Sequence, residues 1–306
     1  MDFGKIINNS FNIAWKHKSL WLLGLFAEGS YSAFYIHKED LNLEKIFDFE
    51  AFGISNDIMD ILPSFEVLFV PIMLAFLTFM LLLFIMHLIA VPGLIDGINK
   101  ITRGGFYSLA GSINVGLHNF WRFFGLFLLL FITNFIAIIS LVLVGVVFFL
   151  IHVALGILSL LVLIPLLFLV IMTTTNIYSL TQRAIVVRDT TIGNALEEAF
   201  LLFRKNLLNN LLIFLIFLGL SIGLGLAALI IWLIVSLPLG MIVMAMGLKL
   251  IPAMIIGIIL GLPVSLVVGG FLGVVFNSLY TLFYFELVEP GGPQIAAPAV
   301  PSGSQP

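Results

Sequence analysis

The run from Thr173 to Arg183, TTTNIYSLTQR, is the richest polar patch inside an otherwise apolar stretch of this sequence. On a helix, Asn176, Ser179 and Arg183 share a face at i, i+3 and i+7, and Thr175, Ser179 and Gln182 share a neighbouring one. A later apolar run answers with Asn277, Tyr280, Thr281 and Tyr284, and Asp96 supplies a carboxylate from a third. Such groups could line a polar cavity that takes a small solute. They could equally join helices by hydrogen bonds of about 1 kcal/mol each, with the tyrosines anchored at headgroup depth. Glu28 is the sharpest single group. A carboxylate at membrane depth costs about 3 kcal/mol and often marks an ion or substrate path. The other reading is a short first crossing, broken at Gly24, Gly29 and Ser30, that lets Glu28 reach water.

Catalytic signatures do not accompany these residues. The sequence has no HExxH and no P-loop. Its five histidines, at 17, 37, 87, 118 and 152, are scattered without metal-ligand spacing, and there are no cysteines for thiolate sites or disulfides. The expectation is therefore no catalytic residue, no metal and no cofactor. His87 and His152 are expected near helix ends, with no special role.

The elements that must position the polar residues follow from composition. Of 306 residues, 61% are hydrophobic and 9% charged, against about 25% charged in a soluble chain. So few charges cannot cover a water-facing surface. The apolar runs are continuous and lack the alternation of a membrane barrel, so the expected class is all-α, an integral membrane six-helix bundle. The net charge of −3 decides little.

Taken in order, residues 3–16 form an amphipathic stretch, with Phe3, Ile7 and Phe11 opposite Lys5, Asn8 and Asn12. Crossings are expected at about 19–36, 67–91, 123–150, 154–180, 207–236 and 253–285, each near the length that spans about 30 Å of hydrocarbon. Residues 37–66 carry eight acids against Lys38 and Lys45 and read as an external loop. The segment from Ala90 to Gly105 holds Pro92, Gly93, Gly97, Gly104 and Gly105, all breaker signals. Residues 106–119 form a second amphipathic stretch. The long apolar run after it is expected to turn near His152, with a kink at Pro165. Ile192 to Leu202, read with its flanks, is the third amphipathic stretch: Ile192, Ala195, Leu196, Ala199, Phe200 and Phe203 take one face, and Asn194, Glu197, Glu198, Arg204 and Lys205 the other. Residues 238–252 read as an external or re-entrant loop containing Lys249. The pairs Gly219/Gly223, Gly257/Gly261 and Gly269/Gly273 permit close helix approach. The N-terminus reads as mature protein. Residues 1–289 thus make one transmembrane domain, and 290–306 a disordered cytoplasmic tail.

With both termini cytoplasmic, every lysine and arginine except Lys38, Lys45 and Lys249 falls inside, as the positive-inside rule requires. The same order of parts then recurs three times: interfacial helix, basic cluster, outward crossing, inward crossing. Sliding the chain places Ile85 on Ile171, Met86 on Met172 and Leu94 on Leu180, and a second register places Ser10 on Ser112. A period of about 100 residues built on a helical hairpin suggests triplication. In it Asp96, Gln182 and Tyr284 would correspond and converge on a cavity open to the cytoplasm.

The runs AWKHKSLWLLGLFA, GLIDGINKITRGG and RAIVVRDTTIGNALEEAFLLFRKN resemble a group of uncharacterised prokaryotic proteins related to the membrane domain of glycerophosphodiester phosphodiesterases. The resemblance covers most of residues 3–286 through loose motifs. It implies a polytopic protein of a prokaryotic cytoplasmic (inner) membrane. The phosphodiesterase barrel is not part of this sequence, so the hydrolase activity does not carry over.

Three functions are therefore weighed, the third and least supported being an intramembrane enzyme. The first is a non-enzymatic multi-pass protein that organises lipids, or a protein partner or second copy, with membrane lipids as its chief partners and no nucleic acid. The second is a transporter for a small molecule, using Glu28 and the polar cavity.

Overall fold

Where lipid is the solvent, every backbone amide must find its partner inside the chain, and an apolar segment does so as a helix. The computed structural model describes residues 1–27, 65–245 and 250–289, with side chains left undescribed at 65–69, 239–240, 243–245 and 250–260. Among the described residues the regular structure is entirely helical. The elements are α1 (Phe3–Lys16), a 3-10 turn (Lys18–Leu20), α2 (Trp21–Ala27), α3 (Phe65–Thr102), α4 (Leu109–Ile151), α5 (Val153–Arg188), α6 (Ile192–Lys205), α7 (Leu207–Ala245) and α8 (Leu250–Val288). Among the described residues five stretches are long and apolar enough to cross a membrane: Val70–Thr102, Leu109–Ile151, Val153–Arg188, Leu207–Pro238 and Gly261–Val288. The α4–α5 pair leaves Leu150 82% and Leu161 74% exposed amid a continuous field of aliphatic side chains. Such a field is stable only against hydrocarbon. The chain is a multi-pass membrane protein.

Several sequence expectations lie outside the described residues: Glu28, most of the first crossing and of the acidic loop, Lys249, and the tail from 290. Others are corrected. The breaker cluster at Pro92-Gly93 does not end α3, which runs on to Thr102. Leu88, Ala90, Val91, Leu94, Ile95 and Ile98 are all buried around it, and that packing outweighs the one amide proline cannot donate. The helix ends where Gly104 takes φ 71° and Gly105 N–H returns to the Lys100 carbonyl at 2.8 Å, a left-handed glycine termination. The second amphipathic stretch is not a separate helix. It forms the first turns of the 43-residue α4, because no breaker separates it from the apolar run. By contrast α1 stops at His17 and α6 at Asn206, both in non-helical backbone. Residues 238–245 and 250–252 are helical rather than loop, with Pro238 inside α7. Proline is tolerated there because membrane helices re-satisfy the freed carbonyl locally.

The chain separates into two compact units, one of residues 1–16, 88–218 and from 275 on, the other of 17–87 and 219–274. In the first, α5 packs along α4 and against α6. Its core includes Ile6 and Ile13 of α1, Leu94 and Ile98 of α3, Phe123 of α4, Leu180 and Ile185 of α5, and Leu279 and Phe283 of α8. Backbones touch where Gly116 of α4 meets α3: a Cβ there would stand 2.2 Å from the Ile89 carbonyl oxygen. The α4–α5 turn falls at His152, whose Nδ1 accepts from the Ala154 amide at 3.1 Å and caps α5. In the second unit, α2 and α8 cross at Gly24, Gly270 and Gly273. A Cβ on Gly24 would lie 2.2 Å from the Gly270 oxygen, and one on Gly273 2.0 Å from the Gly24 oxygen. Trp21 stands edge-on to Phe271 at 5.7 Å, and His87 Nδ1 donates to the Phe26 carbonyl at 3.0 Å.

Candidate functional site

Within the first unit the predicted polar residues form three groups, each spent on holding helices. On α3, Asp96 is nearly buried and accepts from Lys100 Nζ at 2.7 Å and from Ser112 Oγ of α4 at 3.0 Å. It tightens the same α3–α4 crossing that Gly116 makes close.

The second group centres on Arg183, which is 2% exposed. Its guanidinium donates to the Ser179 carbonyl at 3.0 Å, to Gln182 Oε1 at 2.9 Å, and to Asn277 Oδ1 on α8 at 3.1 Å. Its plane lies over the Tyr280 ring at 5.4 Å. A planar fork that is always charged suits this mixture of acceptors and an aromatic face. Gln182, Asn277 and Tyr280 are buried with it. Asn176 lies two turns earlier on the face of Arg183 and donates to the Met172 carbonyl at 2.9 Å. The side-chain oxygens of Asn176, Asn210 and Ser278 are buried without a hydrogen-bond partner among the described residues.

The third group was not legible as a unit. Tyr284, 1% exposed, donates to Glu198 Oε1 at 2.8 Å, and Arg188 donates to Glu198 Oε2 at 3.1 Å. Glu198 therefore docks α6 onto α8 and the end of α5. The helical period had assigned it to the polar outer face. Only its pairing with Arg188 across the α5–α6 link could have hinted otherwise, and that signal is weak. Asp96 stays with α4, Gln182 with Arg183, and Tyr284 with Glu198; the hydrogen bonds of the described residues do not join the three. Among the described residues no group of three potential metal ligands gathers.

A cavity does occur in this unit, at another place. A groove of about 510 Å³ runs between α4, α5 and α6. Its walls are Leu126 and Leu130 of α4, Ile177 of α5, and Leu196 and Phe200 of α6. Thr133 and Thr174 also face it, but their hydroxyls are returned to the Leu129 and Val170 carbonyls at 2.8 and 2.9 Å. One charged residue, Glu197, is in the lining, one turn from Gly193. The amphipathic face expected for α6 is in fact divided. Ala195, Ala199 and Phe203 are buried in the unit, while Leu196 and the half-exposed Phe200 face the groove. None of the residues singled out in the sequence as a polar cavity lines it.

The link between α5 and α6 is held by a further pair. Asp189 sits in left-handed backbone at φ 49°, which Asp tolerates better than most residues. Its carboxylate accepts from Arg122 of α4 at 2.5 Å. That hydrogen bond, and then the guanidinium charge, hold the carboxyl below its usual value of 3.8. The folded state thus favours the ionised form. The pair's contribution is complete above the ordinary carboxylate value and is lost as pH falls through the lowered one. An acid titration of the exposed Trp121, next to Arg122, should accordingly stay flat through 3.8 and change only below it. Asp189→Asn should abolish that transition; a transition that persists in the variant would assign it to another group.

No protein-family model, no curated protein and no solved structure matches this chain.

Proposed function

We propose that this membrane protein binds and orders phospholipid without transforming it, one acyl chain lodging in the groove between α4, α5 and α6. The observation that carries the reading is the groove itself. It is almost wholly apolar, it lies between two long helices whose apolar spans are largely exposed, and an amphipathic helix flanks it. A chain in that slot exchanges contact with mobile lipid for contact with fixed leucines. The amphipathic α6 sets the headgroup level, as interfacial helices do. The polar clusters are consistent with a structural role, since the bonds of Asp96, Arg183 and Tyr284 go to neighbouring side chains and backbone carbonyls. The transport reading rests chiefly on Glu28, outside the described residues.

The finer architecture belongs to the same proposal. Six crossings in three related copies, with both termini on the cytoplasmic side of a prokaryotic membrane, account for the distribution of basic residues. The pattern of α1 and α6, each ending in a break before the next helix, supports the repeat. The resemblance to phosphodiesterase membrane domains fits this picture without its hydrolase.

The test is lipid retained through purification in mild detergent, read by native mass spectrometry. The wild-type protein should keep about one phospholipid per groove, within the volume range of a ligand pocket. Leu196→Trp should lose it with an unchanged helical circular dichroism spectrum. A wild-type protein that purifies free of lipid, or a variant that keeps its lipid, would overturn the reading.

A further inference from the structure

The groove carries information about the headgroup as well as the chain, and the following rests on the lipid-binding reading above. We propose that Glu197 receives the headgroup, so that the groove selects zwitterionic phospholipids bearing a primary ammonium, such as phosphatidylethanolamine.

Three observations converge on Glu197. It stands in the lining of an otherwise uncharged slot, on the short amphipathic helix α6. Two arginines of this unit are committed to other acids: Arg188 to Glu198 at 3.1 Å and Arg122 to Asp189 at 2.5 Å, while Glu198 also takes the Tyr284 hydroxyl. No ion pair of the described residues includes Glu197, so this exposed acid stands at the groove with no salt-bridge partner of its own. Third, Gly193 lies one helical turn away on the same stripe, and nothing stands within 4 Å of where its Cβ would be. That leaves room for a headgroup beside the carboxylate.

The chemistry of the carboxylate fixes the class. It accepts hydrogen bonds and offers none, so it attracts a primary ammonium, which brings both charge and N–H donors. A trimethylammonium headgroup brings charge but no N–H donor. A headgroup with only a phosphate and hydroxyls is repelled. The acyl chain supplies most of the affinity and Glu197 supplies the discrimination, since a charge pair at a solvated rim contributes modestly.

The test uses the full chain reconstituted in nanodiscs of equal parts phosphatidylethanolamine, phosphatidylcholine and phosphatidylglycerol, then released into detergent for native mass spectrometry of the bound lipid. Wild-type protein should carry phosphatidylethanolamine enriched about fivefold over the bulk. Glu197→Gln should bind as much lipid in total with the enrichment gone. Glu197→Lys should shift the bound pool towards phosphatidylglycerol. Lipid bound at the bulk ratio by the wild type, or enrichment that survives Glu197→Gln, overturns the headgroup assignment and leaves the groove reading standing. A lipid-free wild-type protein, or a lipid-free dimer in which a second copy fills the groove, overturns both.

Discussion

Valine in place of Gly273 should destabilise the protein by about 3 kcal/mol, the upper end for overpacking a close contact. The reason is geometric. A Cβ at Gly273 would stand 2.0 Å from the Gly24 carbonyl oxygen, and the obstacle is backbone on both sides, with no flexible side chain to give way. Helices α2 and α8 would have to part, and the edge contact of Trp21 with Phe271 would go with them. The measurement is a denaturant titration in bicelles followed by circular dichroism and tryptophan emission. Gly219→Val is the matched control: a Cβ there meets nothing within 4 Å, so it should cost less than about 0.5 kcal/mol. Equal losses at the two positions would show that the close crossing is not the source of the effect.

The second large effect is expected at Arg183. Methionine there keeps the stem and removes the donors to Gln182 Oε1 and Asn277 Oδ1. Each acceptor left buried without a partner costs about 1–3 kcal/mol, and the relief from burying one charge offsets part of that. The net loss should be about 3 kcal/mol, measured by the same titration. Lysine should recover only part of it. A single ammonium can reach one acceptor, but it reproduces neither the fork nor the stacking on Tyr280. The discriminating measurement is a double-mutant cycle with Asn277→Leu. If the bond between α5 and α8 is the source of the effect, the double variant should be less damaged than the two single losses combined. Strict additivity would mean that Arg183 and Asn277 act separately.

The long apolar runs and the turn at His152 could be read directly, because hydrophobic continuity and a polar breaker are local properties. The grouping of Arg183 with Asn277 and Tyr280 was half legible. The period of three to four placed Asn176 and Arg183 on one stripe, and Asn277 and Tyr280 on another, but not the two against each other. Pro92-Gly93 misled, because a breaker signal records intrinsic preference and the buried ring of Leu88, Leu94 and Ile98 overrules it. Glu198 was misassigned for a related reason. A helical wheel sorts residues into apolar and polar faces, and it has no place for a carboxylate that turns inward because a tyrosine from a distant helix awaits it. The groove had no signature at all. It is a space left by three helices, and its one informative residue, Glu197, looked in sequence like the solvated face of an amphipathic helix.

The length of α4 has a consequence for the lipid around it. Its apolar part, from Phe123 to Ile151, continues well past the roughly 20 residues that match an ordinary bilayer. At about 1.5 Å per residue the segment outreaches the hydrocarbon by about ten ångströms or more. A helix in that position must lean over, or the bilayer must stretch to meet it, and each ångström of mismatch carries a modest cost. The α4–α5 hairpin is therefore most at ease in thick bilayers. The protein should gather in thicker patches of its membrane, drawing longer-chain lipids around itself simply through the span of two helices.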